Sequence, residues 1–594
     1  MTFENRKDIP VKYTWDLTVI YKTEKEFYDE VEKATNLIGE LAQYKGNLNN
    51  AENVLACLNL MTEIDKPLSR AYCYSYLKTS EDSKDTNSQS MAEKVMGSMV
   101  ALGNASAFID PELTKLPEET IDAFMADPRF ENHTVALRKI KAGKAHVLTE
   151  KEEEMLSNVS DVTRFFQETF NRLNNGELDF GTIEVDGKPV HLTHGSYAGL
   201  MNDRRQEVRG KAFDSMYTAY KGAINTITGL YTGSVKNECM LAKFRRFDSA
   251  RQKALFYEEV EDKVYQNLIS SINDNLTPLH DYMALRKSVL GLENLNMYDL
   301  HFPMFENADI SLEFDDAFNL VKEGLHPLGE EYQALLQRAY DERWMDVYEN
   351  KGKRSGAYSM GIPERHPFVM LNYQKTAHDV FTVAHELGHS LHSWYSSANQ
   401  PYEKEHYTIF VAEVASTTNE VLLLNYLLKK EKDVNVRKYL ISYYLDMIRT
   451  TFYRQSMFAE FEEISHNMIE TGKPFNYQTL SNEYYELNKK YYGPAVTHND
   501  FIRYEWARIP HFYRGFYVYK YATGITCAVN IAKKILEEGA PAVENYKKFL
   551  STGGSIDPVS ELKIAGVDLT TPQPFEVIAG DFKKYLAELQ ELCK

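Results

Sequence analysis

The chain has 594 residues, enough to bury a large core and to form more than one structural unit. Its make-up, 43% hydrophobic and 26% charged, is that of a water-soluble globular protein, and a formal net charge of −19 argues against nucleic acid and anionic membranes as main partners. Five scattered cysteines without a CxxC pair give no basis for a cysteine zinc site, and neither an apolar leader core nor a bilayer-length apolar stretch is found, so a reducing, cytoplasmic setting is expected.

Apolar residues at helical spacing (Phe27, Val31, Ala34, Leu37, Leu41) predict a helix over 25–43. Helices over 47–60, 91–108 and 151–173 follow from the same pattern. An Asp186-Gly187 turn between 181–185 and 188–192 predicts a β-hairpin. A soft boundary falls here, dividing an N-terminal helical region, 1–190, from a second helical region, 191–594, that contains the stretch His385 to His389. Long helices are expected over 203–241 and 258–290. Segment 351–376 is rich in glycine and basic residues and turns apolar over 367–373, a predicted strand. Thr376-Ala-His-Asp379 has the form of a capping box with aspartate in the place of glutamate. It opens a helix over 377–394 whose apolar side is Val380, Phe381, Ala384, Leu387 and Leu391. Further helices, a turn at Ser551-Thr-Gly-Gly-Ser555 and a last helix from about 574 complete a mainly α chain without repeats.

His385-Glu386-Leu387-Gly388-His389 lies inside the capped helix. HExxH puts two imidazoles one turn apart on one face, where both can bind one metal ion, with the glutamate in reach of a water on it. That is the core of a zinc-dependent peptide hydrolase. Catalytic zinc takes three protein ligands and keeps one position open. The HExxHxxGxxH version fails, because positions 392 and 395 hold His392 and Tyr395. A straight helix cannot wrap a third consecutive turn around one ion, so His392 reads as a supporting or structural residue. Downstream candidates are Glu403, Glu405, His406, Glu413 and Glu420. The first three sit in a polar loop after Pro401. Glu413 lies in the apolar run Ile409-Phe-Val-Ala-Glu-Val-Ala415, where a carboxylate is costly unless it is metal-bound or paired. Glu420, two turns on, can orient a ligand histidine or be an ordinary helix carboxylate.

The motif followed by Phe410-Val-Ala-Glu-Val-Ala-Ser416 resembles the thimet oligopeptidase-like (M3) zinc peptidases, and most closely their oligoendopeptidase F branch. Ile9-Pro-Val-Lys-Tyr-Thr-Trp-Asp-Leu17, Met297-Tyr-Asp-Leu300, Trp506-Ala-Arg-Ile-Pro-His-Phe-Tyr513 with Phe516-Tyr-Val-Tyr-Lys-Tyr-Ala-Thr-Gly524, and 553–558 extend the likeness over nearly the whole chain. The resemblance implies a zincin-type metallopeptidase with two helical halves flanking a deep groove and a small β-sheet near the active site. It implies one Zn2+ per chain held by His385, His389 and Glu413, Glu386 as general base, and short peptides as substrates. It further implies that His511 and tyrosines among 513, 517, 519 and 521 meet the substrate and the developing oxyanion; Tyr521 aligns best, and Tyr517 lies one turn before it. The 367–373 strand is expected to hold a peptide by main-chain hydrogen bonds, and Gly356-Ala357-Tyr358 to belong to a loop that closes over it. Competing readings are a zinc carboxypeptidase of similar helical build and a non-catalytic peptide-binding protein.

Overall fold

The computed structural model describes residues 2–305 and 311–594. Helix accounts for 71% of it and strand for 5%, which is the mainly α class expected. The chain forms two compact units, one of residues 1–147, 309–427 and 531–567, the other of 148–308, 428–530 and 568–594. The division is therefore interleaved along the sequence and not a single cut near 190. The N-terminal helices pack with the segment that carries HExxH, a partnership between distant stretches that no local composition change marks.

In the first unit, helix Ala51–Glu81 runs well past the predicted end at 60, through Pro67. Tertiary burial overrides the proline: Ile64, Leu68, Ala71 and Leu77 are fully buried in one cluster with Phe27, Val31 and Leu41. A three-stranded sheet lies against this cluster. It consists of β1 (Met345–Asp346), β2 (Tyr358–Ile362) and β3 (Arg365–Met370), in the order β1-β3-β2. Phe368 and Met370, two apart on one face of β3, join the core, while Ser359 of β2 meets Ser390 Oγ of the HExxH helix at 2.8 Å. Because β3 pairs parallel with β1 and antiparallel with β2, both of its edges are filled. The strand expected to receive a peptide is thus internal, and the edges free of strand partners among the described residues belong to β1 and β2. The glycine-rich stretch before it is tied down too. Lys353 and Asp346 form a fully buried ion pair (2.7 Å), Asn372 donates to the carbonyls of Arg354 (2.9 Å) and Gly356 (2.8 Å), and Tyr358 OH bonds Ser80 Oγ (2.9 Å). These anchors do not suit the closing loop expected at 356–358.

The second unit contains the predicted hairpin, Thr182–Val185 paired with Lys188–His191. The two long helices predicted here are each divided, into Gln206–Gly222 and Ile224–Phe244, and into Asp262–Asp274 and Thr277–Val289. Asp299, from the stretch 297–300, is fully buried against Arg209 (2.7 Å) and accepts from the backbone N of Asn296 (2.7 Å). Among the described residues no helix is long and apolar enough to cross a membrane.

Candidate metal centre

The capping box at the start of the HExxH helix, Ala377–Asn399, is formed. Thr376 Oγ1 accepts from Asp379 N (3.2 Å), and Asp379 Oδ2 accepts from Thr376 N (2.8 Å). With the helix start fixed, Val380, Phe381, Ala384, Leu387 and Leu391 go into the core, which turns His385 and His389 together to another side. A second helix, Ala412–Lys430, crosses at Gly388. A Cβ at that position would lie 2.6 Å from Ser416 Cα and 2.7 Å from Ala415 O, so only glycine admits the approach. Asn419 Nδ2 secures the crossing by donating to Ala384 O (3.0 Å).

This crossing brings in Glu413. Its Oε2 lies 3.3 Å from His385 Nε2 and 3.5 Å from His389 Nε2, and the two imidazole nitrogens are 3.2 Å apart. A tetrahedral ion with bonds of about 2.0–2.1 Å sets its ligand atoms about 3.3 Å apart, so the triangle fits a zinc-sized ion. Among the described residues it is the one cluster of His, Cys, Asp and Glu able to hold a metal. The Glu413 side chain is 41% exposed, less buried than its apolar run implies, because it opens the first turn of its helix while Val414 and Ala415 go inward. Ser416 Oγ steadies it at 3.2 Å.

Glu420 Oε1 sits 2.6 Å from His385 Nδ1. A carboxylate can only accept, so Nδ1 carries a proton, and Nε2, which faces Glu413, is the nitrogen that would give up its proton and offer a lone pair to a metal. Burial disfavours charge on His385, but hydrogen bonds to Glu413 and Glu420 and the charges of Glu420 and Glu386 outweigh it and raise the imidazole to about 10. Burial pulls Glu413 upward as well, yet the hydrogen bonds from His385 and His389 hold it well below the usual carboxylate range. Three carboxylates around two imidazoles call for a cation. Glu386 is 6% exposed; burial raises its pKa against the pull of both histidines, and its Oε2 has no hydrogen-bond partner.

The profile of peptidase family M3 matches residues 199–580, and that of oligopeptidase F matches 112–180. The chain belongs to peptidase family M3. This M3 chain is a metallo-endopeptidase. It is 38% identical over 591 residues to oligopeptidase PepF of Bacillus subtilis, covering 99% of this chain and 88% of that one. It is 33% identical to the crystal structure of oligoendopeptidase-F from Enterococcus faecium, with a TM-score of 0.75 and coverage of 96% and 99%. A candidate peptidase from Chlamydophila abortus matches at a TM-score of 0.93 and 31% identity, over 99% of this chain and all of that one.

The remaining predicted positions separate cleanly. Glu403 accepts from Thr62 Oγ1 (2.7 Å), and Glu405 and His406 lie in the loop after Pro401; none joins the cluster. The M3 chain docks that loop on its glycine turn: Gly554 N donates to Lys404 O (2.7 Å), and a Cβ on Gly553 would run into Lys404 O. His392 is fully buried and stacked on Tyr407 (3.7 Å, 1°), with neither ring nitrogen bonded. Burial and then the neighbouring His389 push its imidazole down to about 3. In the second unit Tyr513 and Tyr519 are core residues. Tyr513 stacks on Phe170 at 4.5 Å, and Tyr519 OH donates to Glu258 (3.1 Å). His511, Tyr517 and Tyr521 instead form a partly exposed group with ring centres 5.6–6.0 Å apart. Ser416, Asn419 and Tyr407 were missed in the sequence. For the first two a signal existed, since polar residues recur at helical spacing with Glu413 and Glu420 in an otherwise apolar helix.

Proposed function

We propose that the chain is a zinc-dependent oligoendopeptidase that cuts internal bonds of short peptides in the cytoplasm, with His385, His389 and Glu413 as zinc ligands. The observation that carries this is the 3.2–3.5 Å triangle of two imidazole nitrogens and one carboxylate oxygen next to an unpaired, buried Glu386. When bound, zinc supplies Lewis acidity that brings the pKa of a water from about 15.7 toward 7. Glu386 takes the proton of the attacking water and passes it to the leaving amine; burial favours the carboxylic acid that holds it in between. Glu420 keeps His385 in its ligand tautomer. His511, Tyr517 and Tyr521 supply donors to the developing oxyanion, where one lost donor typically costs about 10²–10³ in rate. The relatives named oligopeptidase PepF and oligoendopeptidase F support short peptides as substrates. Five free cysteines suit a reducing compartment.

The test is metal analysis of the purified protein together with mass spectrometry of products from peptides blocked at both ends, with and without chelator. The expected result is about one zinc per chain and internal cleavage that stops on chelation. Cleavage confined to free C-termini, or unchanged after metal removal, overturns the reading.

A further inference from the structure

The second unit holds a small polar cavity that the chemistry above leaves unused. It is lined by Arg449, Arg454, Arg508, His301, Glu505 and Tyr217, among others, and leaves about 20 Å³ for the centre of a water-sized guest. That is room for one small guest and too little for a peptide end. Two of the stretches singled out in the sequence meet here. Met297 to Leu300 leads into His301, and 506–513 carries Arg508.

The charges around the cavity do not balance. Arg454 Nη2 binds Glu505 Oε1 (2.6 Å), and the other oxygen of Glu505 accepts from Tyr484 OH. Asp446 is shared by Arg449 (2.8 Å) and Arg286 (3.1 Å). Asp299, the next carboxylate along the chain from His301, is taken by Arg209 (2.7 Å). Arg508 is left without an ion-pair partner among the described residues. It donates to Tyr217 OH at 3.3 Å, and its guanidinium lies 5.2 Å from the ring of Tyr197. Among the described residues, Arg286, Arg449, Arg454 and Arg508 therefore share two carboxylates, with Glu505 facing both Arg454 and Arg508. Arg449 is buried and Arg454 and Arg508 are half-buried; positive charge drawn out of water without a full counter-charge is unfavourable, so a site of this make-up favours an anion. The backbone is irregular here as well: Arg449 opens a π turn, Arg449–Tyr453, and Arg454 follows it directly. Such turns are frequent at functional sites.

We propose that this cavity binds one small inorganic anion of chloride size, held by Arg508 with Arg449, Arg454 and the Tyr217 hydroxyl. Arg508 ends the 3-10 segment Asp500–Arg508, and His511 lies in the next, Pro510–Tyr513. The ion therefore also fixes the segment that carries His511. That consequence rests on the proposed role of His511, whereas the binding itself does not.

The experiment has two arms on the full-length protein. In the first, melting temperature is measured in sodium chloride, bromide and gluconate at equal ionic strength, for the wild type and for Arg508→Gln. A ligand that binds only the folded state raises the melting temperature in a saturable way. The expected result is a saturable rise in chloride and bromide, none in gluconate, and loss of the halide effect in Arg508→Gln. In the second arm, bromide-soaked wild-type crystals are measured at the bromine absorption edge, which needs no variant to fold. An anomalous peak within hydrogen-bond distance of Arg508 is expected. Absence of that peak overturns the proposal. A peak without a halide-specific shift in melting marks an adventitious ion only and overturns it equally. Peptide turnover, measured in the same salts, reports separately on His511.

Discussion

Replacing Gly388 with alanine tests whether the close crossing of two helices sets the metal centre. The added Cβ would lie 2.6 Å from Ser416 Cα and 2.8 Å from Ser416 N, whereas ordinary contact begins at 3.4 Å, so the helices must part by about 0.8 Å. The obstacle is backbone and cannot rotate away. Alanine gains about 1 kcal/mol of helix propensity over glycine, while overpacking of a filled core costs typically 1–3 kcal/mol. The net expectation is a loss of about 0–2 kcal/mol, by the same two principles. A functional effect accompanies the stability effect. Glu413 opens the crossing helix three residues before Ser416, so the parting carries its carboxylate away from both imidazoles. Contacts of 3.3 and 3.5 Å lengthen beyond the about 3.3 Å edge of a tetrahedral zinc site. Zinc affinity should fall at least 10-fold, the lower end of what misplacing a ligand's support costs. Chelator competition measures the affinity, and denaturant unfolding of metal-free protein measures the stability. A Gly388→Ala protein with wild-type zinc affinity would refute the idea that this spacing positions Glu413.

Glu386→Gln should keep zinc and the fold but lose nearly all hydrolysis; substantial turnover by the metal-loaded variant would rule out a general-base role. Glu420→Gln should weaken zinc binding by about 10–100-fold through the lost partner of His385 Nδ1, and Glu413→Ala should weaken it more, both read by metal content after dialysis against a chelator. His392→Phe should preserve the stack on Tyr407 while removing two unbonded buried nitrogens, so at pH 7.5 it should match or exceed the wild type in stability. The pH dependence follows from the depressed imidazole. Folded His392 titrates near 3 and unfolded histidine near 6.5, so the unfolded state takes up the proton first. Wild-type stability should drop as pH falls below about 6.5 and continue to drop toward 3, and the advantage of His392→Phe should widen over that window. Unfolding of metal-free proteins at pH 7.5, 6 and 5 measures this, and a constant difference would contradict a neutral buried imidazole.

Whatever depends on neighbours one helical turn apart was legible in the chain itself. The Thr376 cap fixes where the HExxH helix begins, its apolar positions fix which side goes inward, and the i, i+4 spacing then sets His385 beside His389. These are local consequences of the helix repeat. The Asp-Gly hairpin at 182–191 is local in the same sense. The carboxylate set beyond the motif was only narrowed to candidates. The tertiary structure selected Glu413 as the third corner of the cluster and gave Glu420 a partner in His385 Nδ1, because helix Ala412–Lys430 crosses at the one position where glycine leaves room. It also made β3 an internal strand, pinned the 351–358 stretch through Lys353 and Asn372, and separated the core tyrosines 513 and 519 from the partly exposed pair 517 and 521. Each of these depends on contacts between residues far apart in the chain, and periodicity within a single segment carries no information about them.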